Sequence, residues 1–301
     1  MRAQAEGHHP DLGAALEHLL SSGGKRVRPA VALLTGGMLG ADHERLITLS
    51  AAIELLHTAT LVHDDLIDGA LLRRGLPTLN SSWSPAATVL TGDFIFARAA
   101  KLAAETDSVE VMRLFAETLA TIVNGEITQM FATDGKSCRE EYFERIYAKT
   151  ASMFELATTA AAVLSPKGDA FYEDVRSYGN EIGIAFQIVD DILDFTGETA
   201  TVGKPVASDL RHGIITLPTI LYFEQNPEDP DVKFLSGGNH FDDRRVDRLA
   251  AAIRESGAID VALEEARQYV DRALHALRGL PATPERQALE DLAYYIVHRH
   301  R

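Results

Sequence analysis

Two acidic stretches decide how this chain can fold: Gln187-Ile188-Val189-Asp190-Asp191-Ile192-Leu193-Asp194 and, earlier, His63-Asp64-Asp65-Leu66-Ile67-Asp68. Both have the spacing DDxxD, and each follows an apolar stretch with helical periodicity. Positions i and i+4 share one face of a helix, and position i+1 lies one step round, so three carboxylates crowd each helix end. The pattern therefore predicts long helices that carry acidic groups at their ends.

A divalent cation is the natural partner for these carboxylates. The helix dipole opposes negative charge at a C-terminal end, so acidic groups there need a cation nearby. Mg²⁺ takes oxygen ligands and commonly bridges one or two carboxylates to a phosphate. A solvated acidic surface is the competing interpretation, but two motifs within apolar helices favour the metal. The predicted metal ligands are Asp64, Asp65, Asp68, Asp190, Asp191 and Asp194.

The composition limits the partners of the protein. Its 301 residues include 44 acidic side chains and 29 Lys or Arg, a formal charge of −15. That charge argues against binding of nucleic acid or anionic lipid. The single cysteine, Cys138, excludes an intrachain disulfide and suits a reducing compartment. With no visible signal peptide or transmembrane segment, we expect a cytoplasmic protein.

Helical periodicity dominates the chain, and no convincing strand is visible. Pro and Gly fall mainly between the helices and mark loops, and the least regular stretch is Asn226–Asn239. We predict a single all-α domain over residues 1–301, a large bundle of long helices around a central cavity. The predicted helices are Ala51–Asp65, Ala86–Glu105, Val109–Phe131, Tyr142–Leu164, Tyr172–Phe195, Arg245–Glu255, Val261–Leu277 and Glu285–Arg299.

Basic residues lie on both sides of the acidic motifs although the chain has an excess of acid. Each of them alone could be an ordinary surface charge, but their placement indicates a phosphate-bearing substrate. His57 lies two helical turns before Asp64, and Gln187 shares a helix face with Asp190 and Asp191. The basic residues in question are Lys25, Arg28, Arg73, Arg74, Lys149 and Lys204.

With these motifs the chain resembles the trans-isoprenyl diphosphate synthases, the polyprenyl synthetase family. The two DDxxD motifs correspond to the first and second aspartate-rich motifs of that family. The other matching stretches follow in the family's order: Gly24–Pro29, His57, Arg73-Arg74-Gly75 with Pro77-Thr78, Gly92-Asp93-Phe94, Gly125-Glu126 with Gln129, Lys149-Thr150, Gly183 with Phe186-Gln187, Gly203-Lys204-Pro205 and Asp209-Leu210.

The resemblance implies an isoprenoid synthase fold and a chain-elongating prenyltransferase. Isopentenyl diphosphate would condense with an allylic diphosphate, such as geranyl, farnesyl or geranylgeranyl diphosphate, and release pyrophosphate. By the same resemblance, about three Mg²⁺ ions bridge the aspartates and the allylic diphosphate. Asp64, Asp68 and Asp190 would hold these ions, and Asp65, Asp191 and Asp194 would support them.

The resemblance also assigns the two substrate sites. The allylic diphosphate would be bound by Arg73, Lys149, Thr150, Gln187 and Lys204, and all of these except Arg73 would also act in catalysis. The isopentenyl diphosphate pocket would consist of Lys25, Arg28, His57 and Arg74. One position departs from the family: Ile214 follows Gly213 where a Lys is usual, so one diphosphate contact is missing.

The length of the product depends on where a bulky side chain closes the tunnel. Short-chain members of the family often have an aromatic residue four or five positions before the first motif. Here Thr60 and Ala59 occupy those positions, with Leu56 a turn further. Since neither position carries an aromatic side chain, the resemblance implies a medium- or long-chain product, about C25 or longer. The alternative is a floor at Phe94 or Phe96, which would stop elongation at farnesyl or geranylgeranyl diphosphate.

Other functions and assemblies are compatible with parts of this pattern. A class I terpene cyclase shares a DDxxD motif, but the second DDxxD and the isopentenyl diphosphate residues disfavour it. A regulatory subunit would not be expected to keep both complete motifs. We expect a homodimer, and a catalytic subunit that needs a small heteromeric partner remains open.

Overall fold

Helices account for nearly all of the regular structure that the computed structural model describes, which covers residues 9–21, 23–73, 75–131, 138–197, 206–236 and 243–299. The predicted all-α class is confirmed, and each predicted helix has a counterpart. The helices are α1 Pro10–Ser21, α2 Val27–Leu39, α3 His43–Ile67, α4 Pro85–Ala104, α5 Val109–Phe131, α6 Arg139–Ile146, α7 Ser152–Val163, α8 Gly168–Thr196, α9 Ser208–Arg211, α10 Leu217–Gln225, α11 Pro230–Ser236, α12 Asp243–Glu255, α13 Ala258–Leu277 and α14 Pro284–His298.

Short local features account for some of the differences from the sequence predictions. A two-residue hairpin, β1 Leu72–Arg73 with β2 Leu76–Pro77, follows α3, and Gly75 makes its turn with φ +76°. The stretch predicted to be least regular contains α11. A π-helical turn at Tyr147–Ala151 interrupts the helix predicted from Tyr142 to Leu164. All three are too short to produce a recognisable hydrophobic period.

The chain divides into two compact units, each built from three separate stretches. Unit 1 comprises Met1–Glu117, Leu156–Tyr172 and Pro281–Arg286, and unit 2 comprises Thr118–Glu155, Glu173–Leu280 and Gln287–Arg301. The first acidic motif therefore belongs to unit 1 and the second to unit 2. The prediction of a single domain over 1–301 stays a prediction.

The core of unit 1 is built around α3. Its N-terminus is capped by Asp42, whose side chain accepts a hydrogen bond from the Arg45 amide at 3.0 Å. Ile53, Leu56 and Ala59 of α3 are fully buried. Helix α2 approaches so closely that a Cβ on Gly36 would lie 2.2 Å from Leu46 Cδ2, so a larger residue there would displace the Leu46 side chain.

By length and composition alone, α3 is also the one helix among the described residues that could cross a membrane. More than half of its most apolar window is buried against the rest of unit 1. A central core helix passes the same test, so its apolar character is explained by packing.

Large buried aromatic residues form much of the core of unit 2. Tyr142, Tyr178, Phe154 and Phe195 are all essentially inaccessible to solvent. The rings of Phe154 and Phe186 lie 5.3 Å apart and join the start of α7 to α8. This packing fixes the C-terminal half of α8, which carries the second acidic motif.

Candidate active site

The first acidic motif forms the C-terminal end of α3. The helix stops at the capping residue Asp68, and Gly69 then turns the chain with φ +63°. Asp64 is half-buried and Asp68 is exposed, whereas Asp65 is buried. Asp65 Oδ1 accepts a hydrogen bond from Arg73 Nε at 2.8 Å. The motif thus contains one carboxylate held by a cation and two that solvent reaches.

The hairpin after α3 explains how Arg73 reaches this motif. Strand β1 carries Arg73 back toward the end of α3, and Thr78 fixes the return by donating to the Ala70 carbonyl at 2.6 Å. Arg73, a predicted diphosphate contact, therefore lies beside Asp65, which precedes it by eight residues in the chain. Its predicted neighbour Arg74 lies outside the described residues.

Two of the residues predicted for isopentenyl diphosphate meet in unit 1. Arg28 Nη1 lies 3.4 Å from His57 Nε2, which joins the start of α2 to α3. Lys25 is exposed in the preceding segment. Arg26, between them in sequence, forms an ion pair with the buried Glu54 and donates to the Leu20 carbonyl. Arg26 thus takes part in a structural ion pair within unit 1.

The second acidic motif forms the last turns of α8, and its middle aspartate is the most enclosed. Asp191 is 3% exposed. Its Oδ2 accepts from the Tyr142 hydroxyl at 2.7 Å, and its Oδ1 accepts from Gln187 Nε2 at 2.8 Å. Gln187 Oε1 accepts in turn from the Thr150 hydroxyl at 2.6 Å. The structure thus brings together Thr150 and Gln187, both predicted to bind the allylic diphosphate.

Burial dominates the electrostatics of Asp191. Loss of solvation, followed by the nearby charge of Asp209, raises the pKa of Asp191 to about 8. The hydrogen bonds from Gln187 and Tyr142 act in the opposite direction and favour the carboxylate. Burial likewise raises the pKa of Tyr142 well above its usual value, so its hydroxyl remains a donor at neutral pH. A cation near this pair would favour the carboxylate further.

The flanking aspartates of this motif also have defined partners. Asp190 is half-exposed and forms an ion pair with Arg299 at 2.7 Å. Both oxygens of Asp194 accept hydrogen bonds at 3.1 Å, from the amides of Ser208 and Asp209 at the start of α9. Asp194 therefore caps α9 from a distance in sequence, which fixes the end of α8 relative to that helix.

Arg299 is a residue that the sequence did not single out. Its side chain is 1% exposed, it donates to the Phe186 carbonyl at 2.7 Å, and its guanidinium stacks 4.1 Å from the centre of the Phe186 ring. Arg299 directly follows the last helix, 109 positions after Asp190, and no sequence spacing links it to the motif. The role of Arg299 is recognisable only in the structure, where the residue lies beside α8.

The π-helical turn positions Lys149. Lys149 Nζ lies 2.6 Å from Glu126 Oε1, which joins the turn to α5. Two glycines flank the turn: a Cβ on Gly125 would lie 2.6 Å from Ala148 Cβ, and a Cβ on Gly183 would lie 2.5 Å from Ala151 Cα. Both glycines therefore permit close approach of α5 and α8 to the turn. Lys204, the other predicted lysine, lies outside the described residues.

The residues predicted to set product length lie on α3 and α4 in unit 1. Leu56, Ala59 and Thr60 are buried below the first motif, and Phe94 is half-buried. One turn above, a Cβ on Gly92 would lie 2.1 Å from His63 Nε2, so α4 packs tightly against the end of α3. Ala59 lies about 8 Å along the helix axis from Asp64. The depth of any tunnel stays a prediction.

The unusual Ile214 is half-buried, and its amide donates to the Asp209 carbonyl at 2.9 Å. The preceding Gly213 has φ +77°, which allows the tight turn after α9. An apolar residue at this position packs into unit 2 and offers no charge to a phosphate. The predicted loss of one diphosphate contact stays a prediction.

The carboxylates of each motif are hard oxygen donors, the ligand type that Mg²⁺ prefers. Among the residues described, no three Asp, Glu, His or Cys side chains converge as a ready-made metal cage. Mg²⁺ is usually held by one or two carboxylates, water and substrate phosphates instead of an all-protein cage. The solvent-accessible carboxylates of Asp64 and Asp68 in unit 1, and of Asp190 in unit 2, are oxygen donors of this kind.

Comparison with known proteins identifies the family. The family model described as polyprenyl synthetase matches residues 9–253. Octaprenyl diphosphate synthase of Haemophilus influenzae is 34% identical over 301 residues, covering 99% of this chain and 91% of that protein. An all-trans-nonaprenyl-diphosphate synthase (geranyl-diphosphate specific) of Rhodobacter capsulatus is 38% identical, covering 94% and 87%. Component 2 of heptaprenyl diphosphate synthase from Geobacillus stearothermophilus is 37% identical, covering 96% and 90%.

Solved structures agree with this result. Heptaprenyl diphosphate synthase from Staphylococcus aureus superposes with a TM-score of 0.94 at 32% identity, covering all of this chain and 95% of that one. A polyprenyl synthase from Caulobacter crescentus, complexed with calcium and isoprenyl diphosphate, superposes with a TM-score of 0.92 at 37% identity, covering 100% and 92%.

The fold and the paired acidic motifs thus define an isoprenoid synthase. The chain belongs to the polyprenyl synthetase family. It is a trans-polyprenyl diphosphate synthase, a prenyltransferase of isoprenoid biosynthesis with a medium- or long-chain product. The terpene cyclase alternative is thereby set aside.

Proposed function

We propose that the enzyme condenses isopentenyl diphosphate with an allylic diphosphate, such as geranyl, farnesyl or geranylgeranyl diphosphate, and releases pyrophosphate. The observation that carries the proposal is that in both motifs the two adjacent aspartates differ in burial. The first aspartate of each pair, Asp64 or Asp190, is half-exposed, whereas the second, Asp65 or Asp191, is buried and hydrogen-bonded to protein. Each motif therefore combines an accessible carboxylate with an anchored one.

This difference in burial supports separate roles for the six aspartates. Asp64, Asp68 and Asp190 would hold about three Mg²⁺ ions on the allylic diphosphate. Asp65, Asp191 and Asp194 would support them, because their oxygens are engaged by Arg73, by Tyr142 and Gln187, and by the amides of α9. Bound Mg²⁺ would supply positive charge that stabilises the departing pyrophosphate.

The basic and polar residues would position the two substrates. Arg73, Lys149, Thr150 and Gln187 would bind the allylic diphosphate, together with Lys204. Lys25, Arg28 and His57 would bind isopentenyl diphosphate, together with Arg74. Fixed cations that face the leaving group stabilise its developing charge without reorganisation during the reaction. Among these residues, the Arg28–His57 and Thr150–Gln187 contacts are the geometric support for the assignment.

The reaction needs no protein nucleophile. The allylic C–O bond breaks, its electron pair leaves with pyrophosphate, and the double bond of isopentenyl diphosphate attacks the allylic carbocation. A proton is then lost from the adduct, and pyrophosphate is a sufficient base for it. The apolar residues Leu56 and Ala59 would keep water away from the cation and so prevent its hydrolysis.

Small residues below the first motif support the long product. Ala59 and Thr60 stand where an aromatic side chain would close the space, and Leu56 lies one turn further along α3. The relatives named above are octaprenyl, nonaprenyl and heptaprenyl synthases. A floor at Phe94 is the competing arrangement, and the product itself distinguishes the two.

Incubation of the purified protein with Mg²⁺, farnesyl diphosphate and isopentenyl diphosphate tests this function. We expect consumption of isopentenyl diphosphate, one pyrophosphate per condensation, and a product ladder that extends well beyond geranylgeranyl diphosphate. Mass spectrometry of the dephosphorylated products gives the lengths. No consumption of isopentenyl diphosphate would contradict the proposal, and a ladder that ends at geranylgeranyl diphosphate would contradict the length assignment.

The assembly we propose is a homodimer. In unit 2, α5 presents an apolar stripe formed by Val123, Ile127, Met130 and Phe131, at positions i, i+4, i+7 and i+8. These side chains are 46% to 77% exposed, which is unusual for apolar residues that share one helix face. A second copy would cover this stripe. The Geobacillus relative is named as one component of its enzyme, so a small heteromeric partner is the alternative.

We also propose that the enzyme works in the cytoplasm. Its single cysteine, Cys138, is exposed and not in a disulfide, as suits a reducing compartment. Fractionation of cells that produce the protein would test this directly.

A further inference from the structure

Tyr142 reaches the second acidic motif from another part of unit 2. It lies in α6, its side chain is 0% exposed, and it precedes Asp191 by 49 positions. The ring packs edge-on against Phe143 at 5.2 Å and lies 5.6 Å from the Arg145 guanidinium. A phenylalanine would make both of these contacts. The hydroxyl, which bonds Asp191 Oδ2 at 2.7 Å, is therefore the part of Tyr142 that packing does not explain.

The hydroxyl completes a directional chain of hydrogen bonds. Asp191 accepts at both oxygens, from Tyr142 and from the amide NH₂ of Gln187. Because the NH₂ of Gln187 faces Asp191, its carbonyl oxygen faces Thr150, whose hydroxyl donates to it. The orientation of Asp191 thus determines the orientation of Gln187 and the direction of the Thr150 hydroxyl. Both of those residues belong to the proposed allylic diphosphate site.

We propose that Tyr142 is a positioning residue of the second motif, whose hydroxyl fixes the Asp191 carboxylate and, through it, Gln187, Thr150 and the helix end that presents Asp190. The proposal rests on the function proposed above. Tyr142 does not touch substrate in this assignment. It acts as the outer partner of a metal-site carboxylate, a type of residue whose loss commonly costs ten- to a hundredfold in metal affinity or activity.

Tyr178 provides a matched control within the same unit. It is as deeply buried as Tyr142, and its hydroxyl donates one hydrogen bond of 2.8 Å, to the backbone carbonyl of Leu289. Each tyrosine therefore loses one donated hydrogen bond when replaced by phenylalanine, to a carboxyl group for Tyr142 and to a backbone carbonyl for Tyr178. Only Tyr142 bonds a residue of the acidic motifs, so a purely structural loss would be common to both variants.

The experiment compares Tyr142→Phe with Tyr178→Phe. Both should lower the melting temperature by a few degrees, since each leaves one buried acceptor without its donor. Calorimetric binding of farnesyl diphosphate, without isopentenyl diphosphate, is measured over a range of Mg²⁺ concentrations. For Tyr142→Phe, we expect the Mg²⁺ concentration at half-maximal binding to rise about tenfold and kcat to fall about 10- to 100-fold. The KM for isopentenyl diphosphate should stay unchanged, and Tyr178→Phe should change none of these values beyond about twofold.

Several outcomes would overturn the proposal. They are a normal Mg²⁺ dependence and kcat in Tyr142→Phe, or equal losses in both tyrosine variants. If wild-type protein itself shows no Mg²⁺-dependent binding of farnesyl diphosphate, the proposed function fails, and this is seen before any variant is measured. Should Tyr142→Phe fold poorly, Asp191→Asn supplies the second measurement. If Tyr142 acts through Asp191, Asp191→Asn shows the same rise in Mg²⁺ requirement; an unchanged requirement in Asp191→Asn contradicts the proposal.

Discussion

At the scale of single residues, identical letters in a motif have different physical roles. Asp64 and Asp65 are adjacent, yet the first is half-exposed and the second is buried against Arg73. Asp190 and Asp191 repeat this arrangement, with Tyr142 and Gln187 as the partners of the buried member. A helix rotates by about 100° per residue, so neighbours cannot share one environment. The DDxxD spacing thus places an accessible carboxylate beside an anchored one.

The accessible aspartates should be the more sensitive to loss of charge. We predict that Asp64→Asn and Asp190→Asn each lower kcat by about 10²–10³-fold, because each removes charge next to the leaving diphosphate. Circular dichroism should show unchanged helicity. Asp271→Asn, which removes an exposed carboxylate from the middle of α13, is the control and should keep full activity. Near-normal turnover in either motif variant would refute the metal assignment.

The sequence shows the motif residues but not all of their partners. The six aspartates and the nearby basic residues are recognisable because each follows a local spacing. Tyr142 and Arg299 are not recognisable, since a buried tyrosine and a terminal arginine look the same in sequence whatever they contact. Their roles depend on contacts with motif residues that lie 49 and 109 positions away along the chain. Glu54 is invisible for the same reason, because its partner Arg26 belongs to another helix start.

At the scale of elements, the π-helical turn at Tyr147–Ala151 is the least regular part of the described helices and carries Lys149 and Thr150. Such turns occur often at functional sites, because they redirect side chains that a regular helix would place elsewhere. Gly125 and Gly183 flank the turn, where they permit α5 and α8 to approach it. Periodicity predicted this stretch as continuous helix, because a single wide turn barely alters the apolar pattern.

The approach of α5 to this turn can be tested by a clash and its relief. Gly125→Ala would place a Cβ 2.6 Å from Ala148 Cβ, and neither atom can rotate away. We predict a loss of about 1–2 kcal/mol in the free energy of unfolding, since overpacking outweighs the gain in helix propensity. Activity should fall as well, because the Lys149–Glu126 pair bridges the same two elements.

A second substitution identifies the cause. Adding Ala148→Gly removes the clashing methyl group and should restore most of the lost activity. The next nearest atom, Ala148 Cα, would be 3.9 Å from the new Cβ, which is an ordinary contact. Gly279→Ala is the matched control, because a Cβ there meets nothing within 4 Å. Failure of the double variant to recover would show that this contact does not set the position of the turn.

Element boundaries show the same limit of sequence reasoning. Long helices such as α4 and α5 were predicted to within about a residue, because several turns of apolar periodicity define them. The short helices α9, α10 and α11 were missed, since each has fewer than three turns. Helix α2 is absent from the predicted set, and its sequence contains Pro29 and the Gly36-Gly37 pair, which weaken a helical pattern. In the structure, Pro29 stands near the start of α2, where its missing amide does no harm.

At the scale of the whole molecule, the apolar stripe on α5 predicts a dimer. In solution the mass should be about 66 kDa, twice the 32.8 kDa of one chain. We predict that Ile127→Glu shifts the protein toward the monomer, because a charge buried in an apolar interface is costly. Light scattering after size exclusion measures the mass. Val261→Glu is the control, since Val261 is comparably exposed but lies on α13.

A wild-type mass of one chain would contradict the homodimer, and so would an unchanged mass for Ile127→Glu. Activity of the protein alone bears on the alternative assembly. An enzyme that elongates farnesyl diphosphate without additions needs no small subunit. If activity appears only when a second polypeptide is added, the chain is the catalytic subunit of a heteromer, the alternative suggested by the Geobacillus relative.

The interleaved make-up of the two units has a consequence for genetic dissection. Unit 1 combines residues 1–117 with later stretches that reach residue 286. Unit 2 combines residues 118–155 with later stretches that reach residue 301. No contiguous gene fragment therefore encodes either unit alone. A truncation that keeps one acidic motif would also remove part of the scaffold that supports it, so fragments should be recovered as aggregates or proteolysed chains. Exchange of one half of the gene for that of a relative would therefore alter both units, so we expect an active hybrid only where the packing of both units is preserved.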